Sequence, residues 1–432
     1  MTGLKKALLG ASAAALLLGA LTPPAAAGGF FTNGVPPAGG TQYPTTVPLT
    51  GNETIPADTN LPNGQNPQSE SITVGQLGAL AADPFPRNYL DNGAFAVNQQ
   101  GTGAITGGTT SITALQFAAD RWFIDTNVTS GAGQGQIATT AALLPAGFQQ
   151  VVKLWRNSGA LTQPVCTLHE IETTRAIQLA GKYVVLSSYV AALAGLTAAG
   201  NAVSAYVITG TGTDQGLGTL TASPAITPAW TGIAGGTTAA AIWTTTTTPT
   251  RYYTPPVLIP ATATEVGVEI CFTPVGSSSG ATDGIALTGV QLESVAYTAT
   301  TVAAPPPSAF EFHQLSYDLA QAQRFFYQVN EPASGAALSW IGEATGASTN
   351  AITVPLPVPM RGTTPVVVIP ATGTFKVNIA GTATTWVTPT AGVCSTSACQ
   401  ITGGNTNTAG QVELVTGGGG SGVVYVKNDV IM

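Results

Sequence analysis

Glu265-Val266-Gly267-Val268-Glu269-Ile270-Cys271-Phe272 is the run that decides the fold class. β-Branched and aromatic residues at every second position, with acids, glycine and cysteine between them, suit a pleated strand; a helix would repeat its apolar residues every three or four. Three runs upstream read the same way: Gln149-Gln150-Val151-Val152-Lys153-Leu154-Trp155, Lys182-Tyr183-Val184-Val185-Leu186-Ser187-Ser188-Tyr189-Val190 and Ala202-Val203-Ser204-Ala205-Tyr206-Val207-Ile208. Gly, Pro, Asn and Thr clusters separate them. Many short strands between turn signals, with almost no helical periodicity, predict an all-β chain built on a two-sheet sandwich. A helical turn over 171–179 would sit on its rim.

Working outward, the clearest helix covers 314–329, where Leu315, Leu319, Ala322 and Phe326 fall on one stripe. Asn330 and Pro332 are its stop signals. The residues after it read as a smaller β-domain. Upstream, 28–86 is rich in Gly, Pro, Thr, Asn and Gln and too poor in apolar surface to fold alone. Residues 1–27 have the anatomy of an export leader: Lys5-Lys6, an apolar run from Ala7 to Leu21, and Ala25-Ala26-Ala27 as a small-residue cleavage site. The apolar run is short of the ~20 residues a spanning helix needs. The expected organisation is therefore a leader at 1–27, an attachment stem or linker at 28–86, a sandwich at 87–312, a linking helix at 313–330 and a terminal β-domain at 331–432.

The opening Asn88-Tyr89-Leu90-Asp91-Asn92-Gly93-Ala94-Phe95-Ala96-Val97-Asn98-Gln99 is followed by Ala119-Asp120-Arg121-Trp122, Gly289-Val290-Gln291-Leu292-Glu293, Phe310-Glu311-Phe312 and Gln323-Arg324-Phe325-Phe326. In this order the segments resemble phage tail fibre and related virion proteins that carry a carbohydrate-binding-module-like jelly roll. Val354-Pro355-Leu356-Pro357-Val358-Pro359-Met360-Arg361 resembles the strand that follows the linking helix in that family. The short runs 51–56 and 71–77 look like a segment near the start of many phage structural proteins. The resemblance implies a jelly-roll β-sandwich in a virion component, a tail fibre or receptor-binding protein acting as a homotrimer with other virion proteins, which recognises host surface glycans without chemistry. It also implies a structural Ca2+ between the opening turn and an acid near the closing strand, here Asn92 and Asp283, although Ala94 and Ala96 stand where acids are usual. The leader supports a different reading, a secreted bacterial adhesin or surface protein with the same module. A glycan hydrolase or depolymerase is the third.

Composition narrows the function. Charged residues make up 8% of the 432, against about 25% in ordinary globular chains, so solubility falls to hydroxyls and amides. The net charge is −7, and loss of the leader's two lysines makes it −9 (11 basic against 20 acidic). An acidic chain without basic clusters among aromatics repels a phosphate backbone, which argues against nucleic acid as a partner. Only His169 and His313 are available as imidazole bases or ligands. His169-Glu170-Ile171-Glu172 lacks the second histidine a zincin places one turn on, since position 173 is Thr. Gly276-Ser277-Ser278-Ser279-Gly280 matches the nucleophile-elbow letters but is followed by a strand. Gly417-Gly418-Gly419-Gly420-Ser421-Gly422 leads into Val423-Val424-Tyr425-Val426, so it offers no helix N-terminus for a pyrophosphate. Glycosidase carboxylates would have to come from Asp120, Asp125, Glu170, Glu172, Glu265, Glu269, Asp283 and Glu293.

Sugar-stacking aromatics are sought in loops, where function concentrates. Trp230 and Trp243 lie in Gly/Thr/Pro-rich loops and Tyr252-Tyr253 adjoins one, whereas Trp122 and Trp155 sit in strand runs and read as core. Cys394 and Cys399 are close enough in sequence to close a disulfide across a hairpin tip. Cys166 and Cys271 read as buried small hydrophobes, with a second bridge open to an exported chain.

Overall fold

The computed structural model describes 54–57, 70–73, 87–99, 105–106, 116–125, 133–156, 162–215, 221–222, 226–227, 230–235, 238–275, 282–297, 305–330, 337–346, 349–361, 365–368, 375–379, 382–385, 387–404, 412–417 and 423–428. Met1–Pro84 and Phe85–Met432 are separate compact units. In the first, β1 (Thr54–Ala57) and β2 (Glu70–Thr73) form an antiparallel ladder.

The second unit holds the all-β jelly-roll sandwich. One sheet runs β13 (Ala241–Thr244), β10 (Ala202–Gly210), β16 (Glu265–Phe272), β8 (Val165–Ile171), β5 (Trp122–Asp125), β4 (Gln116–Ala119). The other runs β14 (Thr250–Tyr253), β9 (Tyr183–Ala192), β17 (Gly284–Val295), β7 (Val151–Arg156), β6 (Gly133–Ala138), β3 (Ile105–Thr106), with β15 (Val257–Leu258) also on β9. A small ladder joins β11 (Thr221–Ala222) to β12 (Ile226–Thr227). The period of two in the deciding run has its physical meaning here: Val266, Val268, Ile270 and Phe272 face Val184, Leu186, Leu287 and Leu292 in one buried core.

The outward residues of β16 are buried as well. A second apolar cluster, Phe123, Cys166, Leu168, Tyr206, Ile208, Trp230 and Cys271, covers that side of the sheet. Cys166 and Cys271 stand directly opposite on β8 and β16 and are joined in a disulfide, so the reading of two isolated hydrophobes is corrected.

α1 (Thr173–Ala176) supplies the rim turn. The linking helix α2 spans Leu315–Gln323, shorter than the stripe suggested. Phe326 belongs instead to β18 (Phe326–Asn330), which pairs with β27 (Val423–Asn428) beside β21 (Pro365–Val368), because strand hydrogen bonds from far along the chain override a weak local helix signal. The larger C-terminal sheet runs β23 (Thr382–Thr385), β22 (Phe375–Ile379), β26 (Val412–Gly417), β19 (Ala337–Gly346), β20 (Thr349–Pro355), β25 (Ala398–Gly404), β24 (Val387–Cys394). Cys394 and Cys399 close the β24–β25 hairpin as a disulfide. None of the described helices is long and apolar enough to cross a membrane.

Candidate functional site

The opening segment lies along β17. Tyr89 N donates to Leu292 O (2.9 Å), Leu292 N to Asn88 Oδ1 (3.1 Å), and Val290 N to Gly93 O (2.9 Å). Asn92 takes φ 53°, a conformation its short amide tolerates, and its side chain closes the turn: Nδ2 donates to Val97 O and Asp120 O, and Oδ1 accepts from Val97 N. Asp283 is held elsewhere, ion-paired to buried Arg156 and accepting from Thr197 N and Oγ1. Asn92 and Asp283 share no partner, and each oxygen serves a protein donor, so the structure does not assemble the expected Ca2+ ligand pair. Among the described residues, one trio of Cys and acid atoms comes together, Cys166, Glu269 and Cys271, and its sulfurs are bonded to each other.

The quoted motifs meet at a buried ionic network. Asp91 pairs with Arg175 (2.5 Å) and Arg121 (3.6 Å). Burial pushes its carboxyl up, but the two guanidiniums, with His169 beside them, hold it below its ordinary value. Arg121, at φ 72° in the β4–β5 turn, donates to Glu170 O (2.8 Å) and lies 3.7 Å over the Phe325 ring. Glu172 reaches Arg324 (2.7 Å) and Arg361 (3.9 Å), and Arg361 also pairs with Asp214. His169 Nε2 accepts from Asp91 N, and its ring packs on Trp122 (4.9 Å). Burial, reinforced by Arg121, drives its pKa well below the usual value. This constellation fastens the sandwich to the helix exit and the terminal domain; Asp91, Arg121, His169 and Glu172 are buried, while Arg324 and Asp214 at its rim keep 33% and 32% of their side chains exposed.

The proposed acids are equally enclosed. Asp120, Glu170, Glu172, Glu265, Glu269, Asp283 and Glu293 are each at most 5% exposed. The side chain of Asp125 lies outside the described residues, as do residues 276–280 and 418–422 of the two glycine-rich loops.

The four aromatics divide. Trp230 is buried over the outer sheet face, where a β-carbon at Gly267 would meet its ring at 3.0 Å. Trp243 is buried too; it stacks on Tyr252 (5.9 Å, 21°) and donates Nε1–H to Tyr253 O (3.2 Å). Long-range packing makes both core, Trp243 from within β13 and Trp230 from a segment outside any strand, so neither is the exposed stacking ring expected of a loop. Tyr252 is half-buried, with its hydroxyl on Thr244 O (3.0 Å), while Tyr253 is 45% exposed at the β14 edge.

Sequence reading missed the strap at 305–313, which crosses the outer face of the β14–β9–β17 sheet. Ser308 is held at three atoms: N donates to Glu293 Oε1 (2.6 Å), Oγ to Glu293 Oε2, and O accepts from Arg251 (2.6 Å). Gln291 accepts from Glu311 N (2.8 Å), and Arg87 donates to Ala309 O (2.8 Å). Phe310 and Phe312 pack on Phe148, with centroids at 5.1 and 4.9 Å. The strap, the opening turn and the start of α2 enclose a cleft of about 60 Å3, with Glu311, Phe312, His313 and Leu315 in its walls.

No family model and no curated protein sequence matches the chain. Solved structures similar to it include the enzymatically active domain of tailspike protein 4 of bacteriophage CBA120, at 12% identity and TM-score 0.28, covering 48% of this chain and 22% of that one. A xylan-binding domain of carbohydrate-binding module family 22 matches at 10% identity and TM-score 0.25, covering 45% and 100%. TmCBM61, solved with β-1,4-galactotriose, matches at 12% and 0.26, covering 49% and 100%. At these values the likeness assigns neither ligand nor partner.

Proposed function

We propose that this chain is a non-enzymatic attachment protein, a virion component of the tail-fibre or receptor-binding type that recognises glycans on a host surface. The observation that supports binding without chemistry is the burial of seven candidate carboxylates inside the fold. A glycosidase needs two of them facing one another across a substrate, about 5–9.5 Å apart. Exposed aromatic surface remains at Tyr253 and Phe312. Weak sugar contacts at such a surface gain avidity when several copies are presented together, as in the homotrimer the resemblance implies. The test is a glycan array probed with the intact protein, run beside a reducing-end assay on the glycans it retains. Retention without cleavage supports the reading; release of reducing ends overturns it in favour of a hydrolase.

A secreted surface protein with the same module is the second reading, favoured by two disulfides and the leader, since such bonds persist in oxidising compartments. N-terminal sequencing of native protein, with co-sedimentation on phage particles, separates the two. A start near Gly28 in particle-free culture fluid selects the secreted form.

A further inference from the structure

The geometry points to the cleft between the strap, the opening turn and α2 as a sugar subsite that takes a neutral, hydroxyl-rich glycan end and rejects uronic and sialic acids; this rests on the glycan-recognition reading above. Its mouth is apolar. Phe312 is 55% exposed and Leu315 58%, a strip on which the C–H face of a pyranose can lie, as apolar faces pack on aromatic rings. Its volume of about 60 Å3 holds a few water-sized groups. The ring therefore rests outside on Phe312, and one hydroxymethyl or methyl substituent enters.

Two side chains in its walls, Glu311 and His313, offer open acceptors. Glu311 Oε2 takes the Asn88 N–H (2.6 Å), which leaves Oε1 for a ligand hydroxyl. His313 donates Nδ1–H to Asp318 Oδ1 (2.9 Å), an oxygen that also accepts from Asn92 N (2.9 Å). With its side chain only 4% exposed, its Nε2 has no hydrogen-bond partner, an orphan of the kind a bound hydroxyl satisfies. The walls include two carboxylates, Glu311 and Asp318, and no Lys or Arg. A sugar acid would meet like charge without a compensating cation.

Neutral, uronate-containing and sialylated oligosaccharides are titrated calorimetrically into the full chain and into Phe312→Ala, Leu315→Asn, Glu311→Gln and Tyr253→Ala, each variant first checked by thermal melting. Neutral glycans bind the unaltered protein, at least tenfold more weakly to Phe312→Ala and several-fold more weakly to Leu315→Asn; Glu311→Gln narrows the discrimination against uronates. Leu315→Asn, altered at an exposed position, decides the matter if Phe312→Ala does not fold. Selective binding of sugar acids overturns the proposal, as does loss of neutral binding in Tyr253→Ala with retention in Phe312→Ala and Leu315→Asn; in either case glycan recognition stands. Binding of no glycan class at all removes both readings.

Discussion

Asp120 and His169 make the stability of this protein respond to pH in opposite senses. Burial pushes the Asp120 carboxyl up to about 6, against the Gln99 hydrogen bonds that favour its charge. A carboxyl raised in the fold favours the folded state while protonated, below the unfolded value of 3.8. That advantage is lost as the pH rises through about 6, and the loss amounts to about 3 kcal/mol. Asp120→Asn keeps an oxygen for the Gln99 N–H (2.8 Å) and should melt several degrees higher than the parent at pH 8, with the gain gone at pH 3.5. A gain of equal size at both pH values would refute this account. His169 runs the other way. Held neutral by burial and Arg121, it fails to take the proton that the unfolded chain takes below about 6.5, so its contribution is complete above that pH. It falls progressively as the pH drops below that value. His169→Gln, which retains an acceptor for Asp91 N, should therefore gain on the parent progressively from pH 6.5 to 4.5 in chemical denaturation. At this scale the sequence was a partial guide. Trp122 and Trp155 read correctly as core because they sit in strand runs, whereas Trp230 and Trp243 sit in glycine- and threonine-rich stretches whose burial depends on distant sheet faces.

Among the elements, the strap and the bulge in β17, where its pairing with β9 shifts register between Thr288 and Gln291, invite direct tests. Gly289, at φ 61°, lies where a β-carbon would come within 2.7 Å of the Phe148 ring. Gly289→Ala should cost more than about 1 kcal/mol through backbone strain and displacement of that ring, measured as a lower denaturation midpoint. Glu293→Ala removes both acceptors from Ser308. A loss of about 2–3 kcal/mol is expected, with faster hydrogen exchange over 305–313 and unchanged exchange in β8 and β16. The strands were legible because one face of each is apolar at a period of two. The strap was not: its segment has no period, and its conformation is set by Arg87, Arg251, Gln291 and Glu293, which come from other elements. The linking helix shows how local reading overruns. Leu315 and Phe326 complete a stripe on paper, yet the first is exposed and the second is paired in β18.

For the whole molecule, the decisive feature is the ionic network between the sandwich and the terminal domain. Glu172 receives Arg324 and Arg361, which follow it by more than a hundred residues. Breaking a fully buried pair by removing one partner costs about 3–5 kcal/mol; Glu172 is buried but Arg324 is 33% exposed and screened by solvent, so the cost here lies below that range. Glu172→Ala should therefore lower the melting temperature and split a single calorimetric transition into two as the terminal domain unfolds apart from the sandwich. One transition shifted as a unit would mean that other contacts suffice to couple them. No periodicity announces such partners, since spacing along the chain says nothing about which of its few charges will meet. The same holds for Cys166 and Cys271, 105 residues apart. Their bond encloses the whole cover that lays Trp230 on the sheet, including the exposed stretch 231–235. A protease cutting there would leave two fragments still covalently tied, so an electrophoresis gel run without reductant would show an intact chain and the same sample with reductant would not.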